Sequence, residues 1–240
     1  MVGIGTIVNT IAIIVGGNIG IRLKKIFSQN LQDAMKKACG LGVLFIGIAG
    51  AMEKMINISD GKLLSGKSML VVLCMTIGTF IGESINIDGK IENFGKWLKT
   101  RTGNVKDNEF INAFDTASFT VCIGAMAIVG SIEDGINGNY SILIVKAILD
   151  FIIIAVLASS LGKGAIYSAI PVFIFQGSIT LLAKFISPFM TELVINYISL
   201  IGSILIFCVG INLIFGNTIK IANMLPSMVV AVVFAMFNLM

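Results

Sequence analysis

No histidine occurs among the 240 residues. This removes the commonest metal ligand, the commonest general base and the usual proton shuttle. Charge is nearly as scarce, with Asp, Glu, Lys and Arg at 12% of the chain, about half the share of a soluble domain. The four cysteines (Cys39, Cys74, Cys122, Cys208) stand singly inside apolar runs. With no CxxC pair and no metal spacing among them, they read as packing thiols. There is no HExxH and no Cys–His pair, so only Ser–Lys or Asp chemistry is left to an enzyme, and no motif supports either. The expectation is a non-enzyme without a cofactor or metal. The first apolar run also lacks the basic start and small-residue cleavage site of a signal peptide, and it reads as a spanning segment.

What the chain does have is apolar length: 56% of residues are hydrophobic and the mean hydropathy is +0.98. A spanning helix needs about 20 mostly apolar residues. Eight such runs follow one another: Gly3–Leu23, Ala38–Met55, Ser68–Ile85, Asp115–Ile132, Ser141–Leu161, Ile166–Ile186, Leu193–Phe215 and Met224–Leu239. The fold class is therefore all-α, a polytopic membrane helix bundle of about eight spans in a single transmembrane domain, 1–240. The second and fourth runs are short and rich in small residues, so the count falls by one if either is re-entrant.

The net charge of +4 marks topology and not nucleic-acid binding, because the basic residues sit in short connections. Arg22, Lys24, Lys25, Lys36, Lys37, Lys90, Lys96, Lys99, Arg101, Lys106, Lys163 and Lys220 fall in odd-numbered connections, against Lys54, Lys62, Lys67 and Lys184 in even-numbered ones. Glu133 and Asp134 make the fourth connection acidic. That bias puts the odd connections in the cytoplasm and both termini outside it. In the long third connection, Ile91, Phe94, Trp97 and Leu98 recur at helical spacing among lysines. This predicts an amphipathic helix on the cytoplasmic face with Trp97 at headgroup depth; Ser28 to Lys37 has a weaker pattern of the same kind.

Sliding the chain on itself by 160 residues pairs Ile14 with Ile174, Gly17 with Gly177, Lys24 with Lys184, Gly42 with Gly202, Ile46 with Ile206 and Gly50 with Gly210. One residue out of that register, Ser68-Met69 meets Ser227-Met228. Spans one to three and six to eight are then related units, five crossings apart and so of opposite orientation, the architecture of many secondary transporters. The organisation read from this is a first unit (1–87), a cytoplasmic amphipathic loop (88–114), a central two-span hairpin (115–164) and a second, inverted unit (165–240).

The candidate functional residues are polar or glycine positions inside the spans. Gly16-Gly17-Asn18 and its repeat partner Gln176-Gly177-Ser178 interrupt two helices at equivalent places. Paired interruptions of this kind point to a transporter site, and equally to close helix packing through small residues. Asn9 and Asn212 are further buried amides with the same two readings. Lys146 and Asp150 share one face of the fifth span at i,i+4 spacing. Either Asp150 faces an aqueous path, or Lys146 snorkels outward with Asp150 as its counter-ion. Asp115 opens the fourth span in a run of small polar residues. Gly61 to Ser68 fits G-x-x-x-x-G-K-[ST] formally. A phosphate loop needs a strand before it and cytoplasmic access, so Lys67 and Ser68 read instead as the interfacial start of a span.

Several stretches resemble the bacterial YdfK/YqgA-type family of integral membrane proteins. They are Gly5-Thr6-Ile7-Val8-Asn9 with Gly16-Gly17, Ile81-Gly82-Glu83, Cys122 to Ala127 leading to Gly130 to Gly135, Lys146 with Leu149-Asp150, and Ser168 to Val172 leading to Gln176-Gly177. Phe151 departs from the family pattern, where a glycine is expected after Asp150. The resemblance implies a bacterial inner-membrane protein that fills one domain, and it brings no activity with it.

Together these features lead to the expectation of a small-solute or ion transporter or channel. Its path would run along Asn9, Gly16, Gly17, Asn18, Gln176, Gly177 and Ser178, with Asp115, Lys146 and Asp150 on the central hairpin. The lipid bilayer and an unidentified solute are the expected partners, and a homo-oligomer is compatible with the pattern. The alternative is a membrane scaffold or partner-binding subunit that transports nothing. A transporter requires a polar mid-membrane cavity ringed by two broken helices; a scaffold would pack the same glycines dry.

Overall fold

The computed structural model describes residues 2–59, 62–104, 107–123 and 125–237. The expectations attached to Gly61, Lys106, Gly124 and the end of the last apolar run fall outside them. The first unit of sequence folds as α1 (Ile4–Lys24), α2 (Gln29–Met55), an antiparallel hairpin of β1 (Ile56–Ser59) with β2 (Lys62–Ser65), and α3 (Ser68–Ile85). Then come α4 (Ile87–Arg101), α5 (Phe110–Cys122), α6 (Ala125–Asn137) and α7 (Ser141–Ser160). A 3-10 segment, Lys163–Ser168, leads into α8 (Ala169–Ile186), followed by α9 (Glu192–Phe215), the short α10 (Ile221–Met224) and α11 (Pro226–Met236).

Among the described residues, six helices are long and apolar enough to cross a membrane: α1, α2, α3, α7, α8 with its flanking 3-10 turns, and α9. A seventh crossing is reached only if α5 and α6 are taken together across a 60° bend, and the apolar stretch Ile221–Met236 is shorter than a full span. Eight regular spans are not reached among the described residues. Pro226, which lacks an N–H, takes the first position of α11. Around the molecule, Ile7, Ile11, Phe45, Phe80, Phe173, Leu181 and Phe185 are exposed, a surface that lipid and not water would cover.

Contacts sort the connections into two ends. At one end, which we call the basic end, Lys24 Nζ donates to Ser160 O at 3.3 Å, Asn104 Nδ2 to Tyr167 Oη at 3.4 Å, and Asp88 N to Asn223 Oδ1 at 2.7 Å. These join the first, third, fifth and seventh connections. At the opposite end Gly3 and Gly5 meet Asp134, and Lys67 Nζ donates to Lys54 O at 2.9 Å. Because α5 begins beside Gly164 at the basic end and α6 ends beside Ala183 at the other, the bent pair crosses the bundle and does not turn back.

Helix packing is set by small residues. A Cβ on Gly16 would lie 2.5 Å from Phe151 O, and one on Gly20 would meet Ala155 O. The α1 and α7 backbones therefore touch along a G-x-x-x-G seam, the device that lets membrane helices approach closely. Gly47 of α2 packs on the backbone of Phe207 in α9, and Gly78 of α3 packs on Ser227 of α11.

One local expectation is corrected. Ser28–Lys37 is not a separate surface helix: Ser28 caps α2, its Oγ accepting from Leu31 N at 3.4 Å, and with no glycine or proline before Gly40 the helix runs on into the span. Within the Gly61–Ser68 match, Lys62–Ser65 form strand β2 paired with β1, and α3 starts at Ser68, as read from the sequence. The helix α4 does form, but its apolar face covers α5: Leu98 is buried with Phe110 and Phe114, and Ile91 packs against them. Trp97 stays exposed, stacked on Phe94 at 5.6 Å between ring centroids.

Candidate functional site

The last carbonyls of any helix have no partner within it, and they carry the negative end of its dipole. At the bend, α5 ends inside the bundle, where water does not satisfy those carbonyls. One of them, Val121 O, accepts from Lys146 Nζ at 2.7 Å. The same ammonium lies 2.9 Å from Asp150 Oδ1 and 2.7 Å from Asp150 Oδ2. Lys146 is 7% exposed and Asp150 3%, so this is a buried i,i+4 ion pair on α7, with all three of the ammonium's donors used. Burying two charges is costly even when they are paired, and removing one partner alone is more costly still.

On the other side of the carboxylate, Asn9 Nδ2 of α1 donates to Asp150 Oδ2 at 3.0 Å and to Gln176 Oε1 of α8 at 3.2 Å. Asn9 and Gln176 are both fully enclosed, yet Asn9 Oδ1 and Gln176 Nε2 have no hydrogen-bonding partner in the protein. Buried amides without partners cost roughly 1–3 kcal/mol each. The cluster therefore keeps one unspent acceptor and one unspent donor beside a carboxylate. One to two turns along, Thr6 and Thr180 hydroxyls meet at 3.4 Å, so α1 and α8 share a polar seam.

From the basic end, a cleft of about 420 Å³ reaches toward this cluster. Asp88, Glu92, Asp115, Asn112 and Asn217 line its mouth together with one cation, Lys220, and Thr116, Phe119 and Val209 line it further in. Asp115 Oδ1 is buried there without a partner. Phe119 and Val121 are two positions apart on α5, so roughly half a turn, about 3 Å of helix, lies between the cleft and the ion pair.

The residues singled out from the sequence thus divide. Asn9, Lys146, Asp150 and Gln176 come together in one cluster. Asp115 belongs to the cleft. Gly16 and Gly17 are packing positions, Gly17 against Ile166 and Gly16 against Phe151. Asn18 and Ser178 are exposed and bond their own helices, Asn18 Nδ2 to Ile14 O at 2.7 Å and Ser178 Oγ to Phe175 O at 2.9 Å. Gly177 has only Thr6 Cγ2 near it, 4.0 Å from where a Cβ would stand. Of the two readings of these segments, the broken-helix one is corrected: α1 and α8 run unbroken through both, since a glycine costs a helix interior only about 1 kcal/mol. The break lies in α5–α6. Asn212, open to two readings, is a turn holder: its Oδ1 accepts from Thr218 N and Ile219 N, and its Nδ2 donates to Ile219 O.

Two participants were not foreseen. Val121 contributes a main-chain oxygen, which no side-chain pattern reveals. Asp134, fully buried, accepts from Gly3 N at 3.2 Å and Gly5 N at 3.0 Å, so an α6 carboxylate caps the positive end of α1 from 129 residues away. Its signal was the Ser131–Gly135 stretch, which was noted but given no role. Among the described residues, no group of three or more Cys, Asp or Glu side chains is placed to hold a metal.

Comparison with known proteins adds the lineage. The chain is 30% identical over 226 residues to "Uncharacterized membrane protein YdfK" of Bacillus subtilis (strain 168), covering 94% of this chain and 93% of that one. It is 26% identical over 235 residues to "Uncharacterized protein YqgA" of Escherichia coli (strain K12), covering 95% and 94%. No solved structure matches the chain. The family model for "Protein of unknown function (DUF554)" matches residues 4–236, a stretch that takes in the ion pair, both amides and the Asp134 cap, and the chain belongs to that family of membrane proteins.

Proposed function

We propose that this protein is a multi-pass carrier or channel of the bacterial inner membrane that passes a small cation, with its basic end in the cytoplasm and both termini outside. The observation that carries the proposal is the Lys146 ammonium bound by Val121 O and both oxygens of Asp150 where the α5–α6 span is bent. Non-helical backbone at membrane depth is tolerated where it is buried in protein or lines a path. Here three oxygens converge on one positive charge that is tethered and not diffusible. In this reading Lys146 fills the seat of the transported cation while the path is empty and yields Asp150 when a cation arrives. The acidic cleft at the basic end gathers cations toward Phe119. No catalytic step is assigned to the protein.

The proposal includes the inverted repeat. Support comes from antiparallel helix pairs that cross at equivalent positions. Gly47 packs on Phe207, which is 160 residues on. Thr6 meets Thr180, each seven residues from the equivalent pair 13 and 173. Gly78 packs on Ser227 and Gly82 on Asn223, a line that carries 73 opposite 232, 159 residues on. A two-fold axis in the membrane plane relates such pairs, and the Asn9–Gln176 contact lies beside it.

The test is cation flux in proteoliposomes for Na⁺, K⁺, NH₄⁺ and H⁺, with the Asp150→Asn protein as comparison. Flux of one cation that Asp150→Asn abolishes while the helical signal is kept supports the proposal. Full flux in a well-folded Asp150→Asn protein overturns the role of Asp150. A second reading, a membrane scaffold, is favoured by one observation: Gly16, Gly17 and Gly20 are packed dry, helix against helix. It is the reading that remains if no cation moves.

A further inference from the structure

A second groove opens at the basic end, and it shares no lining residue with the acidic cleft. It has a volume of about 580 Å³ and lies between α1 and the 3-10 segment that leads into α8. Its two ends differ in chemistry. Ile14, Ile21, Ile166, Ala169 and Ile170 form a mostly apolar floor, interrupted by Asn18, whose amide donates to Ile14 O of its own helix. Ile14 is ten residues from Lys24 at the end of α1, so the floor descends roughly 15 Å from the helix end. At the top stand Lys163, Thr102, Asn104 and Tyr167, and Lys163 is exposed. Asn104 Nδ2 donates to Tyr167 Oη, which leaves the phenol proton to be donated outward. Lys24 Nζ lies next to Gly162 just behind Lys163, with Asp107 across from it.

Among the described residues no acidic side chain lines this groove, whereas the cleft at the same end has Asp88, Glu92 and Asp115. A cationic, hydroxyl-rich head over an apolar floor of hydrocarbon depth matches one kind of molecule. We propose that the groove is a site for a single anionic phospholipid, with an acyl chain along Ile14, Ile21 and Ile170 and the headgroup phosphate at Lys163, Asn104 and Tyr167. Basic pockets between helices on the cytoplasmic side bind such headgroups. A zwitterionic lipid would use the floor alone, and free phosphate the head alone. The proposal does not depend on transport.

The experiment uses full-length protein delipidated in neutral detergent. Bound lipid is counted by native mass spectrometry, and thermal stability is followed during titration with phosphatidylglycerol, phosphatidylcholine or inorganic phosphate. Expected is one retained phosphatidylglycerol, bound at least fivefold more tightly than phosphatidylcholine, with no shift from phosphate. Lys163→Gln should lower that preference by about fivefold, which corresponds to about 1 kcal/mol for one lysine at the membrane surface. Ile14→Trp should weaken both lipids by filling the floor, and Lys184→Gln at the opposite end should change neither. Equal binding of the two lipids to the unaltered protein overturns the proposal. So does a preference that survives Lys163→Gln, or a phosphate shift equal to that of phosphatidylglycerol.

Discussion

Asn9 Nδ2 and Asp150 Oδ2, 141 residues apart in sequence, meet at 3.0 Å in the interior of the bundle. That oxygen also takes the ammonium of Lys146 at 2.7 Å, while Oδ1 takes the ammonium alone. The carboxylate is thus held on one side by a neutral amide and on the other by a charge, and only the charge is on a flexible stem. An amide fixed by α1 and α8 keeps Asp150 oriented whether or not Lys146 is engaged. Such an added hydrogen bond offsets desolvation in any buried ion pair; under the proposed cation path it would also hold Asp150 while Lys146 is displaced.

Removing Lys146 should be more damaging than removing both charges. Lys146→Met leaves Asp150 uncompensated in a dry interior, which costs roughly 3–5 kcal/mol, whereas exchange of a whole buried pair for apolar groups is often neutral. Denaturant unfolding in detergent should therefore rank Lys146→Met below the double variant Lys146→Met with Asp150→Leu. The double variant should recover most of the stability and carry no cation flux. A double variant as unstable as the single one would mean that the pair is not the stability unit described here.

Asp134 should act as a clamp on the start of α1. Hydrogen bonds to a charged acceptor contribute roughly 1.5–3 kcal/mol each, and Asp134 accepts two from the main chain. Asp134→Ala should lower stability by about 3 kcal/mol or more, and amide exchange at Gly5 should accelerate. Exchange at α9, which Asp134 does not touch, should not change. Acceleration spread evenly over the bundle would place the residue in the general core instead.

The all-helical membrane class was legible because it rests on composition, which no tertiary detail can reverse. Lys146 with Asp150 was legible because i,i+4 spacing on one helix puts two side chains within reach whatever surrounds them. What could not be read was which glycines interrupt a helix. Gly16, Gly17 and Gly177 look alike in sequence, yet a neighbouring backbone occupies the space at the first, an Ile166 side chain fills it at the second, and almost nothing fills it at the third. The real bend, between Cys122 and Met126, follows a stretch of small residues without proline. It is stabilised by a lysine 25 residues away reaching a carbonyl, and main-chain partners leave no trace in a residue pattern.

Sidedness should show in labelling. In a background with Cys39, Cys74, Cys122 and Cys208 replaced by alanine, Lys163→Cys in inside-out vesicles should react with a membrane-impermeant maleimide, and Asn139→Cys should react only in right-side-out cells. The contacts put Lys163 with Lys24 and Asn104 at one end, and Asn139 beyond Asp134 at the other. The reverse labelling would invert the orientation and place the acidic cleft outside the cell.

Gly16 and Gly177 separate the two accounts of the glycine segments. If both glycines line a path, replacing either with alanine should reduce flux and leave stability largely alone. The geometry gives a different outcome. A methyl on Gly16 would sit 2.5 Å from Phe151 O, so Gly16→Ala must push α1 off α7, at the roughly 1–3 kcal/mol typical of overpacking. The same displacement would lengthen the contact from Asn9 to Asp150, which neighbours Phe151, and so reduce flux through an effect on position alone. Gly177→Ala meets nothing closer than Thr6 Cγ2 at 4.0 Å, and in a helix interior alanine is favoured over glycine by about 1 kcal/mol. It should therefore raise the melting temperature slightly and keep full flux. Loss of flux in a stable Gly177→Ala protein would return the path to the α1–α8 glycines and take it away from the bend in α5–α6.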